Sequence, residues 1–118
     1  MGGVTEALLI RGDVWVADFD PTRGREQRGR RPAVIISSNL HNSGPSQLVS
    51  VVPLTTRHRQ VRSHVAVLPP EGGLAAHSFA MCEQLRVFAV ERLLRRQGSI
   101  SPDTMAQIED RLRILLDL

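Results

Sequence analysis

Short apolar groups, many of them β-branched or alternating with polar residues, recur along the chain between residues 14 and 88. Such groups are typical of strands, because a helix would repeat its apolar positions every three to four residues. Clusters of Gly, Pro, Asn and Ser, which favour turns, separate them. The pattern therefore predicts strands at 14–19, 33–37, 48–54, 64–68 and 78–88.

The connections between these predicted strands are too short to hold crossover helices. Neighbouring strands should therefore be largely antiparallel, and a sheet of this size buries its apolar face by curling into a small barrel. Polar loops are expected at 21–31, 40–47 and 55–63, and a short helical turn is possible around 91–95. The predicted fold class is mainly β, with a helix at the end of the chain.

That C-terminal helix has a clear start signal and one apolar face. Ser101 is predicted as the N-cap, Pro102 as the first helical residue and Asp103 as a first-turn acid; all three are favourable at a helix N-terminus. The apolar face is expected to pack onto the barrel and comprises Met105, Ile108, Leu112 and Leu115.

Chain length and cysteine content suggest one cytoplasmic domain. The 118 residues suffice for a single domain over 1–118, with about 1–9 as a flexible N-terminal end. No apolar run is long enough for a membrane span, and no signal-like segment precedes the first strand. Cys82, the single cysteine, cannot form an internal disulfide and is predicted to be buried and structural.

The positive charge is concentrated in one part of the chain. All 15 basic residues are arginines, and the formal net charge is +3. Eight of these arginines lie between residues 21 and 62, where Glu26 is the single acid. A concentrated arginine surface is expected to bind a phosphate polymer or an acidic peptide.

Glu26, Arg31 and Thr55 are candidates for cleavage of RNA by its own 2′-hydroxyl. That reaction needs a base for the hydroxyl, a cation for the charge on the transition state and a proton for the departing 5′-oxygen. Glu26 can accept the proton, Arg31 can bind the phosphate oxygens and supply or relay a proton, and Thr55 can donate a hydrogen bond. The residues alone leave open a second interpretation, in which Glu26 pairs with a neighbouring arginine on a solvated loop.

Other chemistries find little support in the sequence. The four histidines have no metal-ligand spacing, and no phosphate-binding or dinucleotide-binding glycine motif occurs, so we expect neither a metal nor a cofactor. Trp, Phe and Tyr together make up 3% of the chain. Trp15 and Phe19 are predicted to lie in the core, and stacking of bases on an aromatic platform is not expected.

Several ordered motifs resemble the MazF/PemK toxins of bacterial type II toxin–antitoxin systems. The first is RGDVWVADFDPTRGREQRGRRPAVIIS (11–37), with its Asp-Pro turn, Gly-x-Glu-Gln loop and Arg-Pro pair. It is followed at matching separations by VVPLTT (51–56), CEQLRVF (82–88) and ERLLRRQGSIS (91–101).

This resemblance implies an SH3-like β-barrel of the MazF/CcdB/PemK type and a homodimer. It also implies a metal-independent, sequence-specific endoribonuclease that cleaves single-stranded RNA to 2′,3′-cyclic phosphate and 5′-hydroxyl ends. The implied partner, besides RNA, is a MazE-like antitoxin whose acidic, partly disordered segment competes for the arginine-rich surface.

The resemblance also assigns roles to individual residues. Arg31 and Thr55 are implied to be catalytic, with Glu26 as a further member, and the general base is either Glu26 or Arg31. Four other implied substrate-binding residues are Arg28, Thr56, Gln84 and Arg86. Arg25 is a fifth, at a position where family members often have Ser, and this departure adds a cation that can alter sequence preference.

Two other functions remain open at this stage. One is a non-enzymatic toxin of the CcdB type, which poisons DNA gyrase and would not need Glu26, Arg31 and Thr55 together. The other is an RNA-binding barrel without catalysis, since one fold can serve different functions.

Overall fold

The computed structural model describes residues 8–21, 24 and 26–118, and in this part of the chain seven strands and two helices form. The strands are β1 (Asp13–Asp18), β2 (Arg30–Ile35), β3 (Leu48–Thr55), β4 (His64–Val67), β5 (Ser78–Met81), β6 (Arg86–Ala89) and β7 (Leu93–Ser99). The helices are α1 (Asn39–Asn42) and α2 (Pro102–Leu116). Of the N-terminal end predicted to be flexible, residues 1–7 lie outside the described part, while Leu9 is buried in the core.

The strands form one antiparallel sheet in the order β4-β5-β3-β2-β1-β7, and β6 also pairs with β3. Along one edge of β3, residues 48–51 pair with β6, and Leu54 and Thr55 then pair with β5. The sheet changes direction between the part of β3 that pairs with β6 and the part that pairs with β5. It therefore curves into a barrel-like shell. Within the described residues no ladder joins β4 to β7. The predicted mainly β, antiparallel fold with a C-terminal helix is confirmed.

The central strands are buried on both faces. On β1, Val14 points into a cluster with Val52 and Leu54, and the adjacent Trp15 points into a second cluster with Phe19. Trp15 and Phe19 are 6% and 0% exposed, which confirms that they are core residues. Continuous apolar stretches, such as 33–35 in β2 and 51–54 in β3, are typical of strands that are buried on both faces.

Helix α2 closes one end of the first cluster. Its N-terminus is as predicted: the Ser101 hydroxyl accepts a hydrogen bond from the backbone N–H of Thr104 (3.2 Å), and Pro102 begins the helix. Met105, Ile108 and Leu112 are buried against the sheet. The prediction for Leu115 is wrong, because this residue lies in the last turn, beyond the cluster, and is 45% exposed.

Four segments differ from the prediction. Part of the predicted loop at 40–47 forms helix α1 (Asn39–Asn42). The segment predicted as one strand at 78–88 is interrupted by a 3₁₀ turn at Cys82–Gln84, so it forms two strands, β5 and β6. A helical turn covers Val90–Arg92, but the chain then enters strand β7, which was not predicted. β2 begins at Arg30 rather than residue 33, since Arg30 and Arg31 pair with Asp18 and Ala17 of β1.

None of the helices in the described part of the chain is long and apolar enough to cross a membrane.

Candidate active site

A cleft of about 960 Å³ lies beside the C-terminal end of β3. The loop between β1 and β2 forms one wall, the segment after β3 forms another, and β5 with the following 3₁₀ turn forms the third. The lining residues are Gly24, Glu26, Gln27, Arg28, Arg31, Pro32, Leu54, Thr55, Thr56, Arg57, Arg59, Val61, His64, Ser78, Met81, Glu83 and Gln84.

The three candidate catalytic residues come from separate segments and line this same cleft. Arg31 is the second residue of β2, opposite Ala17 of β1, and it is exposed. Thr55 ends β3, and its hydroxyl accepts a hydrogen bond from the backbone N–H of Arg57 (3.2 Å). Glu26 is exposed on the β1–β2 loop. A carboxylate, a guanidinium and a hydroxyl therefore line one cleft. The guanidinium and the hydroxyl can donate hydrogen bonds to a phosphate group, and the carboxylate can accept a proton.

Hydrogen bonds to distant segments hold the loop that carries Glu26. The Gln84 Oε1 atom accepts a hydrogen bond from the backbone N–H of Gln27 (2.8 Å). At the base of the loop, the backbone N–H of Gly29 donates to Asp20 Oδ1 (3.0 Å), and the Phe19 N–H donates to the Gly29 carbonyl (2.9 Å). The position of Glu26 thus depends on the adjacent residue's bond to the turn at 82–84.

The other predicted substrate-binding residues fall into three groups. Arg28, Thr56 and Gln84 line the cleft. Arg86 is absent from the cleft lining, and its guanidinium lies over the Phe19 and Phe88 rings, 5.6 and 5.5 Å from their centroids. Arg25 lies outside the described residues.

The Gln84 carboxamide is used within the protein. Besides the bond to Gln27, its Nε2 donates to the Met81 sulfur (3.7 Å). Such a side chain fixes the loop and is less available for contact with a ligand. Its Oε1 supports the Glu26 loop from the cleft wall, and its contact with substrate stays a prediction.

The sequence did not single out a hydrogen-bonded group of Ser63, His64 and Glu83 at the cleft wall. Glu83 accepts bonds from the Ser63 hydroxyl (2.6 Å) and from His64 Nε2 (2.8 Å). Burial raises the pKa of Glu83, but the hydrogen bonds from Ser63 and His64, a backbone hydrogen bond and the electrostatic interaction with His64 together outweigh burial, so its pKa lies below the ordinary value. The His64 side chain is 5% exposed, and its Nδ1 has no hydrogen-bond partner among the described residues. Glu83 is part of the quoted CEQ motif, but its partner His64 is 19 residues earlier in the chain, so the sequence pattern did not indicate the pair.

Positive charge dominates the cleft. Four arginines, Arg28, Arg31, Arg57 and Arg59, line it together with two glutamates, Glu26 and Glu83. Guanidinium groups bind phosphate oxygens with directed, charge-assisted hydrogen bonds. Arg57 and Arg59 were predicted only as part of the charge cluster, and the fold brings them to the cleft from the segment after β3.

Metal-binding and thiol chemistry find no site near the cleft in the described residues. Across the part of the chain that the structure describes, no three His, Cys, Asp or Glu side chains come together as a metal site. Cys82 is buried, which confirms its structural assignment, and burial raises the pKa of its thiol to about 12. A thiol with so high a pKa stays protonated and is a poor nucleophile.

Comparison with known proteins identifies similar chains. The protein is 36% identical over 116 residues to "Endoribonuclease MazF9" of Mycobacterium tuberculosis, which covers 94% of this chain and 98% of the relative. Its structure is similar to the crystal structure of MazF from Deinococcus radiodurans, with a TM-score of 0.82, 25% identity and coverage of 96% of this chain and 100% of that one. It is also similar to a chain of the MazE–MazF structure (Form-II) from the same organism, with a TM-score of 0.77, 25% identity and coverage of 96% and 99%.

A family model covers almost the whole chain. The model for the PemK-like, MazF-like toxin of type II toxin–antitoxin systems matches residues 10–116. This match includes every described residue of the cleft. The chain therefore belongs to the family of PemK-like and MazF-like toxins of type II toxin–antitoxin systems.

Proposed function

We propose that this toxin is an endoribonuclease that cleaves single-stranded RNA through attack of the 2′-hydroxyl on the adjacent phosphate. The products would carry 2′,3′-cyclic phosphate and 5′-hydroxyl ends. The observation that carries the proposal is the convergence of Glu26, Arg31 and Thr55, from three separate segments, on one arginine-lined cleft. The similarity to a protein named an endoribonuclease supports the same activity.

Each of the three residues has a separate task in the proposed reaction. Glu26 takes the proton of the 2′-hydroxyl, since a carboxylate oxygen is a hydrogen-bond acceptor and this side chain lines the same cleft as Arg31 and Thr55. As the 2′-oxygen bonds to phosphorus and the bond from phosphorus to the 5′-oxygen breaks, Arg31 binds the non-bridging oxygens and stabilises the charge that builds on them. Arg31 also supplies or relays a proton to the departing 5′-oxygen, which gives the 5′-hydroxyl end. Thr55 donates its hydroxyl hydrogen to the phosphate while its oxygen still accepts the bond from Arg57.

The proposed reaction draws its nucleophile from the substrate. The 2′-hydroxyl lies next to the scissile phosphate in every ribonucleotide, so the protein needs to supply orientation, proton transfer and charge stabilisation. We therefore include metal independence in the proposal. The remaining arginines of the cleft, Arg28, Arg57 and Arg59, bind neighbouring phosphates and hold the strand in register.

The proposal extends to partners and location. The structural relatives include MazE–MazF assemblies, and an acidic antitoxin segment would find the same positive cleft as RNA does. Inhibition would then be direct competition for the cleft. We further propose that the active form is a homodimer, as the family resemblance implies, and, because the proposed substrate is cellular RNA, that the protein acts in the cytoplasm.

The test is a cleavage assay on a long unstructured RNA in excess chelator, with analysis of the fragment ends. Wild type is compared with Arg31→Ala, Glu26→Gln and Thr55→Val. Arg113→Ala is the matched control, because Arg113 is an exposed arginine in the last turn of α2 and does not line the cleft. Discrete cuts with cyclic-phosphate ends are expected from wild type and the control, with Arg31→Ala reduced at least about 100-fold, as for removal of a group that stabilises transition-state charge.

Two results would overturn the proposal. If folded, antitoxin-free wild type leaves varied RNAs intact but binds gyrase, the chain is a toxin of the CcdB type. If it binds RNA through Arg31 and forms no product, the chain is an RNA-binding barrel without catalysis.

A further inference from the structure

A stack of three aromatic rings lies beside the cleft. The His58 imidazole stacks on the Phe79 ring at a centroid distance of 4.8 Å and an interplanar angle of 6°. The His77 imidazole also stacks on Phe79, at 4.8 Å and 24°. Phe79 itself is 9% exposed, whereas both histidines are exposed. The stack therefore shields Phe79 and presents imidazole surface to solvent.

Strand register places this stack next to the proposed catalytic threonine. Phe79 of β5 pairs with Thr55 of β3 across the antiparallel ladder. Directly paired residues point to the same face of a sheet, with Cβ atoms about 5 Å apart. Thr55 lines the cleft, whereas His58, His77 and Phe79 are not among its lining residues, so the stack borders the cleft at the strand position that pairs with Thr55.

Cleft residues flank both histidines in the chain. His58 lies between Arg57 and Arg59, and His77 is followed by Ser78; all three of these neighbours line the cleft. A protein that binds single-stranded nucleic acid combines cations that contact the phosphates with rings on which the bases stack. Arginines that alternate with an imidazole provide both. Imidazole belongs to the side chains on which unstacked RNA bases stack.

We propose that the exposed face of the His58 imidazole, supported from beneath by Phe79, is a stacking subsite for one nucleobase next to the scissile phosphate. The proposal rests on the proposed ribonuclease function. The base of that nucleotide continues the ring stack, while Arg57 or Arg59 binds its phosphate. Because a stacked ring makes no base-specific hydrogen bond, this subsite strengthens binding and restricts the register of the strand more than it selects one base.

The experiment measures coupling between the imidazole and a single base. The RNA sequence that wild type recognises and cuts is mapped first. An oligonucleotide of that sequence is then made uncleavable by one 2′-deoxy nucleotide at the scissile position. Each flanking nucleotide is replaced in turn by an abasic one. Dissociation constants are measured in chelator for wild type, His58→Asn and His58→Phe.

His41→Ala is the matched control, since His41 is another exposed histidine and does not line the cleft. Thermal unfolding of each variant shows whether it is folded, and His77→Asn provides a second disruption of the stack. His58→Asn keeps a polar side chain without an aromatic ring, whereas His58→Phe keeps a ring.

With intact RNA, His58→Asn should weaken binding roughly 5-fold or more, in keeping with stacking on an aromatic side chain. His58→Phe and His41→Ala should bind as wild type does. At one flanking position the abasic RNA should weaken wild-type binding by a similar factor, and there His58→Asn should add no further loss.

Three outcomes would overturn the subsite. The first is that the losses of RNA affinity from His58→Asn and from an abasic nucleotide add independently at every position. The second is that His58→Phe weakens RNA binding as much as His58→Asn does. The third is that His58→Asn weakens binding of an acidic antitoxin peptide and leaves RNA binding unchanged. If wild type fails to cut any all-ribose RNA, the proposed function itself fails. Cleavage by wild type without coupling at His58 refutes the subsite alone.

Discussion

Replacing Gln84 with Met tests whether the turn at 82–84 positions the loop that carries Glu26. The substitution keeps the length and approximate volume of the side chain and removes the Oε1 acceptor. The Gln27 backbone N–H, 2.8 Å from that oxygen in the folded protein, then loses its partner in the turn. The Glu26 loop should leave its position in the cleft more often.

The size of the effect follows from one hydrogen bond in a partly buried place. Such a bond contributes about 1 kcal/mol net, and water can replace part of it because Gln27 is half-buried. If the bond favours the docked loop by this amount, its loss lowers the docked fraction by up to about 5-fold. Because an undocked loop removes the proposed base, the loss should appear mainly in kcat. Arg28 on the same loop is one of three arginines proposed to bind neighbouring phosphates, so KM should rise by a smaller factor than kcat falls.

The assay is steady-state cleavage of the mapped RNA together with thermal unfolding. Gln97→Met is the matched control. Gln97 likewise makes a side-chain hydrogen bond to the backbone, although as a donor: its Nε2 donates to the Gly73 carbonyl (3.0 Å), and the residue does not line the cleft. Both variants should lose about 1 kcal/mol of stability, and Gln84→Met alone should lose activity.

Two results would refute this reasoning. One is unchanged kcat for Gln84→Met with the expected loss of stability, which would mean that the bond does not control the loop. The other is a large rise in KM at constant kcat. That result would mean that Gln84 contacts the substrate directly, as the family resemblance implies.

Three further predictions concern stability. Gly98→Ala would place a Cβ 2.5 Å from the carbonyl carbon of Gly72, so it should destabilise the fold by about 2 kcal/mol or more, measured by urea unfolding. Ser101→Ala removes the N-cap acceptor of α2 and should cost about 1 kcal/mol in the same assay, whereas Ser101→Asp should restore most of it. The pKa of Glu83 is lower in the folded protein than in the unfolded chain, so its contribution is present above the unfolded-state pKa and is lost as the pH falls through the folded-state pKa. Glu83→Gln should therefore be less stable than wild type at pH 7, and its stability should fall less than that of wild type between pH 6 and pH 3. An equal fall in stability for both proteins over this range would contradict the prediction.

The sequence predicted those strands whose side chains are mostly apolar, as burial requires. β3 was predicted because its β-branched run is buried on both faces. β7 was missed because its residues are mostly polar and exposed, and it forms through pairing with β1 at the edge of the sheet. The break between β5 and β6 was also missed, since no Gly or Pro marks the turn at Cys82.

The candidate site was predictable in its chemistry and not in its geometry. Glu26, Arg31 and Thr55 were chosen because the reaction needs their functional groups. Their approach to one cleft depends on ladder register and on contacts between distant segments, such as Gln84 with Gln27. The ring stack was missed because a count of Trp, Phe and Tyr overlooks imidazole, and His58 and Phe79 are far apart in the chain.

The central claim is that the 2′-hydroxyl next to the scissile phosphate is the nucleophile. The most direct measurement compares cleavage of the mapped RNA with cleavage of the same oligonucleotide carrying one 2′-deoxy nucleotide at the scissile position, both in chelator. The account predicts that the deoxy oligonucleotide is bound as tightly as the all-ribose one and is not cut at that position. Cleavage at the all-ribose rate would contradict the account, because the nucleophile would then come from water or from the protein.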